Sequence, residues 1–244
     1  MIKIRLFVLF AILSFASVAR ADFGMGMFNA ANSAGMNIAG TAAINAAIGK
    51  STKNAASSST ARQNSSATIY PETLEYSPSP EISAKLRKRF WNTIKQNNPQ
   101  SAEEIDTTLR HQDVIGTFKI DMAPYELRAD NVGDTVTAYW LTMWLVANQA
   151  STPSKNLVKA VQNQVSKIVL QNELISNKND AQKQVVAETL IYETMLALGM
   201  HHRALQSGNP LQLQELSDAA YTNMLKQNID LRSLDLTPQG FTTK

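Results

Sequence analysis

From Pro80 almost to Lys244 the apolar residues of this chain recur every three or four positions, whereas no such period organises residues 22–68. That spacing places apolar side chains on one face of a helix, so it predicts a helical domain over 69–244. Pro80 suits a first helical position, and Ile82, Leu86, Phe90 and Ile94 follow at four-residue steps. Ser101 with Glu104 forms a capping box that opens a short helix through Gln112. Residues 113–127 read as an ordered loop or a short broken helix, because Val114, Ile115, Phe118 and Ile120 are interrupted by Gly116 and Pro124. The strongest element is expected to start at the cap Asp130 and run to Asn148. Val132, Val136, Tyr139, Trp140, Met143, Trp144 and Ala147 trace one of its faces, and Leu141, Leu145 and Val146 make most of the rest apolar. A helix that is apolar nearly all round belongs at the centre of a bundle. Pro153 opens the next helix, with Leu157, Val161, Val165 and Ile168 on a stripe. A further helix is predicted from a cap at Asn177 to a stop near Gly199, and a last one from Asn209-Pro210. Leu231, Leu234, Leu236 and Phe241 give the tail an apolar side that docks back on the bundle. No strand alternation or tandem repeat stands out. The expected class is all-α: an irregular bundle of about six helices around a central hydrophobic one.

Two segments precede that domain. Lys3 and Arg5 lead into the apolar run Leu6–Val18, and Ala19-Arg20-Ala21 fits the small-x-small cleavage rule. Residues 1–21 therefore read as a secretory signal peptide, with Asp22 as the mature start. The run is short for a membrane span and no stop-transfer segment follows it. Residues 22–68 hold Gly24, Gly26, Gly35, Gly40 and Gly49 among Ala, Asn and Ser, and read as a disordered, low-complexity tail. Within it Ala39, Ala43 and Ala47 recur every fourth residue, a spacing that suits weak membrane contact or self-association.

Charge and cysteine usage narrow the function classes. Of the 23 basic side chains, Lys3, Arg5 and Arg20 lie on the predicted signal, leaving 20 against 20 acidic ones. A nucleic-acid binder would carry a net basic footprint, so that role is not expected. With no cysteine in the chain, disulfides, thiolate metal sites and a cysteine nucleophile are all excluded. No P-loop, dinucleotide fingerprint, nucleophile elbow or trusted metal motif occurs, and no cofactor or metal is predicted.

The residues left as candidates are few. Lys85, Arg87, Lys88 and Arg89 form the densest basic cluster, with Lys95 beyond it and Trp91 beside it, off the apolar stripe. Lys85, Lys88, Arg89 and Trp91 are thus the candidate partner-binding residues, since a cationic face with an exposed aromatic suits an acidic partner; a plain solvated helix face is the competing explanation. Glu188 and Glu193 precede His201-His202, which suggests an alternative as general acid and base of a peptidoglycan-directed envelope hydrolase. Cations after a helix stop also need no reason beyond the helix dipole. The aromatic segment at Trp140 and Trp144 could line a pocket of a small-ligand carrier, although such stripes more often form core.

Leu74-Glu75-Tyr76-Ser77-Pro78-Ser79-Pro80, Asp130-Asn131-Val132-Gly133-Asp134 with Ala138-Tyr139-Trp140, and Leu234-Asp235-Leu236-Thr237-Pro238-Gln239-Gly240-Phe241 carry a resemblance. They are similar to a family of signal-peptide-bearing bacterial exported proteins defined only as a domain of unknown function. The resemblance covers about Tyr70 to Phe241. It implies an exported helical domain, without an activity, cofactor or site residue. The expectation from the whole sequence is a non-enzymatic protein of the periplasm or cell envelope, or outside the cell. It would dock another envelope protein through its helical domain and N-terminal tail.

Overall fold

The structure is a computed structural model that describes residues 74–97, 99 and 112–244. The predicted signal segment, the 22–68 tail with its alanine stripe, the Ser101/Glu104 capping box and His111 lie outside the described residues.

Six helices dominate: α1 Pro80–Asn97, α2 Val114–Met122, α3 Val132–Asn148, α4 Lys155–Gln171, α5 Asp180–Ser207 and α6 Pro210–Leu225. The all-α expectation holds, and residues 113–127 resolve into α2 followed by a 3-10 turn at Ala123–Tyr125. Asp113 explains that start, because its side chain accepts the Gly116 N–H and serves as the N-cap.

Helix α3 is the central element, buried everywhere except at Trp144 and Asn148, which are half-buried. It packs on α4, α5 and α6, while α1 and α2 lean on α5. The long helix α5 therefore has two working sides. One joins the main core around Trp140, Leu190 and Ile191. The other carries Tyr192, which forms a small separate cluster with Phe90 and Ile94 of α1, the Phe90 and Tyr192 rings stacking at 5.0 Å.

The helix boundaries correct the sequence reading at three points. Asn131, not Asp130, caps α3 by accepting the Asp134 N–H at 3.2 Å. Asp130 instead pairs with Arg128 at 3.0 Å, and Asp134 is buried, accepting Gln162 Nε2 at 2.5 Å and Arg128 N–H at 3.0 Å. Asn179, not Asn177, caps α5 in a full capping box with Gln182. Nor does α5 stop at Gly199; it continues to Ser207 and ends where Gly208 turns left-handed at φ 64°. One helical glycine costs about 1 kcal/mol, less than the combined packing of Met200, His201 and Ala204 beyond it.

The tail is the largest addition to the expected picture. A 3-10 turn at Leu231–Ser233 leads into two four-residue strands, β1 Leu234–Thr237 and β2 Gly240–Thr243. They pair antiparallel, Leu236 facing Phe241 and Thr237 facing Gly240 across a two-residue turn. Phe241 is fully buried, with its ring 6.0 Å from both Trp140 and Trp144. Gln164 of α4 clamps it from the side, donating to its carbonyl at 2.9 Å and accepting its N–H at 2.8 Å.

Gly240 makes that clamp fit. Its φ is +102°, and a Cβ there would lie 2.5 Å from Gln164 Oε1. Gly240→Ala should therefore cost about 1–3 kcal/mol in urea unfolding. Gly208→Ala, equally left-handed but with nothing within 4 Å of the added carbon, should cost less. Equal losses would show that backbone strain alone, and not the Gln164 contact, sets the effect.

Candidate functional site

The chain approaches α1 through an extended segment that is fastened by polar contacts to the turn before α3 and to α5. Tyr76 donates its hydroxyl to the Ala129 carbonyl at 2.8 Å, and Ser77 N–H reaches Asp180 Oδ2 at 3.0 Å. Gln184, fully buried, then makes a reciprocal pair with the Ser79 backbone, accepting its N–H at 2.8 Å and donating to its carbonyl at 2.9 Å. One turn on, Glu188 Oε1 accepts Ser83 Oγ and Gln184 Nε2, each at 2.7 Å. This seam fixes the register of α1 along the first half of α5.

Beside the seam the two helices leave an open groove of about 490 Å³. Ile82, Lys85, Leu86 and Arg89 line it from α1. These residues sit at steps of three and four and therefore share one helix face. The opposite wall is the capped start of α5: Lys178, Asn179, Ala181, Gln182 and Val185. Ile82, Leu86 and Val185 supply an apolar floor, with exposed Ala181 beside it and Lys85, Arg89 and Lys178 as a cationic rim. Lys85 is held by Glu81 at 2.7 Å, an exposed pair one turn apart that holds the Glu81 carboxyl below its ordinary range. No acid among the described residues forms an ion pair with Arg89 or Lys178. Asp180 in the first turn of α5 offsets the positive end of that helix's dipole, so the rim's charge is that of its side chains.

Two of the four predicted binding residues, Lys85 and Arg89, thus meet in one concavity. Lys88 is exposed on α1 but does not line the groove. Trp91 departs from the exposed position expected of it. It is half-buried, packs on the Phe90–Ile94–Tyr192 cluster and carries Lys95 Nζ 4.8 Å from its ring centroid.

The second predicted constellation is spread out. Glu188 is 2 % exposed and faces α1 through Ser83. Glu193 is buried on another side of α5, its carboxyl against the Tyr139 hydroxyl of α3; burial pushes that carboxyl up to about 8, with the tyrosine hydrogen bond acting in the opposite sense. His201 lies on α5 rather than after it, also buried, and burial lowers its pKa, with His202 beside it adding to the effect. At 1.5 Å rise per residue, Glu188 and His201 are separated by about 20 Å along the helix axis. The fold therefore does not gather Glu188, Glu193, His201 and His202 around one centre. Trp140 is fully buried, and Trp144 donates its indole N–H to the Leu234 carbonyl at 3.0 Å, so both serve the hairpin contact. Among the described residues no group of three acids or histidines could hold a metal ion, and no helix is long and apolar enough to cross a membrane.

The sequence reading missed the far wall of the groove and the Gln184 clamp. Asn179-x-x-Gln182 is a capping-box signature that would have placed the start of α5. Nothing local to Lys178 or Val185 announces that α1 will lie beside them.

Fold and site together define a small all-α domain with a preformed groove between two helices. The chain belongs to the family of unknown function DUF6683, which it matches over residues 1–244. No curated protein and no solved structure matches it.

Proposed function

We propose that this is a non-enzymatic interaction protein of the bacterial cell envelope, exported by its first 21 residues and docking another envelope protein through its helical domain. The observation that carries this reading is the α1–α5 groove, open, apolar at its floor and cationic at its rim. Partner surfaces of this kind combine apolar anchors with charges that steer and register the complex. Export rests on the basic start, apolar run and Ala19-Arg20-Ala21 motif of the sequence. Residues 22–68 serve as a tether ahead of the domain.

The reading is tested by crosslinking the tagged, processed protein in its own cells, followed by purification from the envelope fraction and mass spectrometry. A stoichiometric envelope protein, retained when residues 22–68 are deleted, is the expected result. A protein recovered without any partner, or with its signal uncleaved in the cytoplasm, would overturn it.

A further inference from the structure

Resting on that interaction reading, we propose that the α1–α5 groove takes an acidic amphipathic helix of a partner protein. Its apolar side would lie on Ile82, Leu86 and Val185, and its carboxylates would meet Arg89 and Lys178. The face from Ile82 to Arg89 covers eight residues of α1, about 10 Å of helix axis. That is two turns, enough for anchors at i, i+3 or i+4, and i+7 of an incoming helix. The groove lies between two helices, and the one sheet among the described residues, β1–β2, contributes no lining residue, so strand addition is not available here.

Charge complementarity selects the sign of the occupant. Lys85 already has Glu81, but Arg89 and Lys178 have no acid among the described residues within ion-pair distance, and both flank the same apolar floor. Asn179 has committed its side chain to the Gln182 N–H and Asp180 stands in the first turn of α5, so the attraction for an acidic occupant comes from Arg89 and Lys178. A membrane surface fits less well. The large apolar side chains that protrude most, Ile120, Leu205, Leu211 and Leu225, all lie off the groove, and none of the groove's own large apolar residues is exposed. Because Gln184 and Glu188 pin α1 to α5 next to the groove, it exists before the partner arrives, which lowers the ordering cost of binding.

The experiment places a photo-crosslinking amino acid at Ala181, an exposed groove residue, in the full-length chain in cells, with a second at Lys88 as the off-groove control. The expected result is an adduct from position 181 and not from 88. Its crosslinked peptide should come from one other protein, carry excess Asp and Glu, and have apolar residues three and four apart. The double reversal Arg89→Glu with Lys178→Glu should cut that adduct about tenfold, and reversing the facing acids of the partner should restore it. Arg89 is exposed and Lys178 half-buried, and an unchanged thermal melt would confirm that the fold is kept. A lipid adduct, a basic peptide, a second copy of this chain or no adduct at 181 would each overturn the proposal. If the partner is still recovered by affinity purification in those cases, docking occurs on another surface and only the groove assignment fails. If no partner is recovered at all, the interaction reading fails with it.

Discussion

Glu193→Gln is expected to stabilise this protein, and to do so more strongly as pH rises. Glu193 is enclosed between α3 and the end of α6, where the titratable group facing it is the Tyr139 hydroxyl and Gln227 adjoins that same hydroxyl. No cation among the described residues compensates a negative charge there, and Glu193 Oε1 has no hydrogen-bond partner. Burial thus moves the carboxyl from its ordinary 4.5 to about 8 in the folded protein. Since the folded-state pKa is raised, the unfolded chain releases this proton first. Folding then loses stability as pH climbs through that window, with no penalty below it and the full penalty above it. One pKa unit corresponds to roughly 1.4 kcal/mol, so the isosteric amide should gain about 3 kcal/mol at pH 7 and about 4–5 kcal/mol above pH 9. Urea unfolding of both proteins between pH 4 and pH 9 measures this directly. Parallel pH profiles would mean that the carboxylate is ionised in the folded state and neutralised by something the present geometry lacks.

Trp140→Ala should be the most damaging single truncation. Trp140 is the largest fully buried side chain, and it touches both the main core and the Phe241 ring. Removing an aromatic side chain from such a site costs about 3–5 kcal/mol, a transfer loss plus the cavity left behind. In a domain of this size that lowers the melting temperature by roughly 10–15 °C. Trp144→Phe should do much less, because Trp144 is half-buried and loses chiefly the hydrogen bond to Leu234, worth about 1 kcal/mol. A loss for Trp140→Ala no larger than that for Trp144→Phe would show that the hairpin, and not the helix, determines the closure of the core.

Such effects were partly foreseeable from the chain alone. The centrality of α3 follows from apolar residues on every side of one seventeen-residue segment, a signal that no neighbour can reverse. Its cap was misplaced by one residue because Asp130 and Asn131 are both good cap formers, and only the backbone angles choose between them. Asn177 and Asn179 posed the same ambiguity. Gly199 was over-weighted, since packing on both sides of α5 outweighs one residue's helix propensity. The hairpin escaped notice because four-residue strands offer two alternations at most, too few to register as a period. At the candidate site, Lys85 and Arg89 were visible as part of a basic run. Their selection from that run was not, because it depends on which face of α1 meets a helix about ninety residues later. The buried state of Glu193 was equally hidden: a carboxylate on a helix with polar neighbours reads as solvated until its surroundings are known.

The hairpin has a further consequence, in the timing of synthesis. Phe241 and the Gln164 amide that grips it are 77 residues apart, and the aromatic face of α3 that Phe241 covers lies earlier still. A chain made from its N-terminus exposes Trp140 and Trp144 to the surroundings while almost all of the remaining helices are being added. The core gains this wall only when the hairpin residues have been added. For a protein proposed to leave the cytoplasm, that delay is useful. Until Phe241 docks against Trp140 and Trp144 the chain lacks that cover, and a slack chain is the form that a narrow export pore would accept.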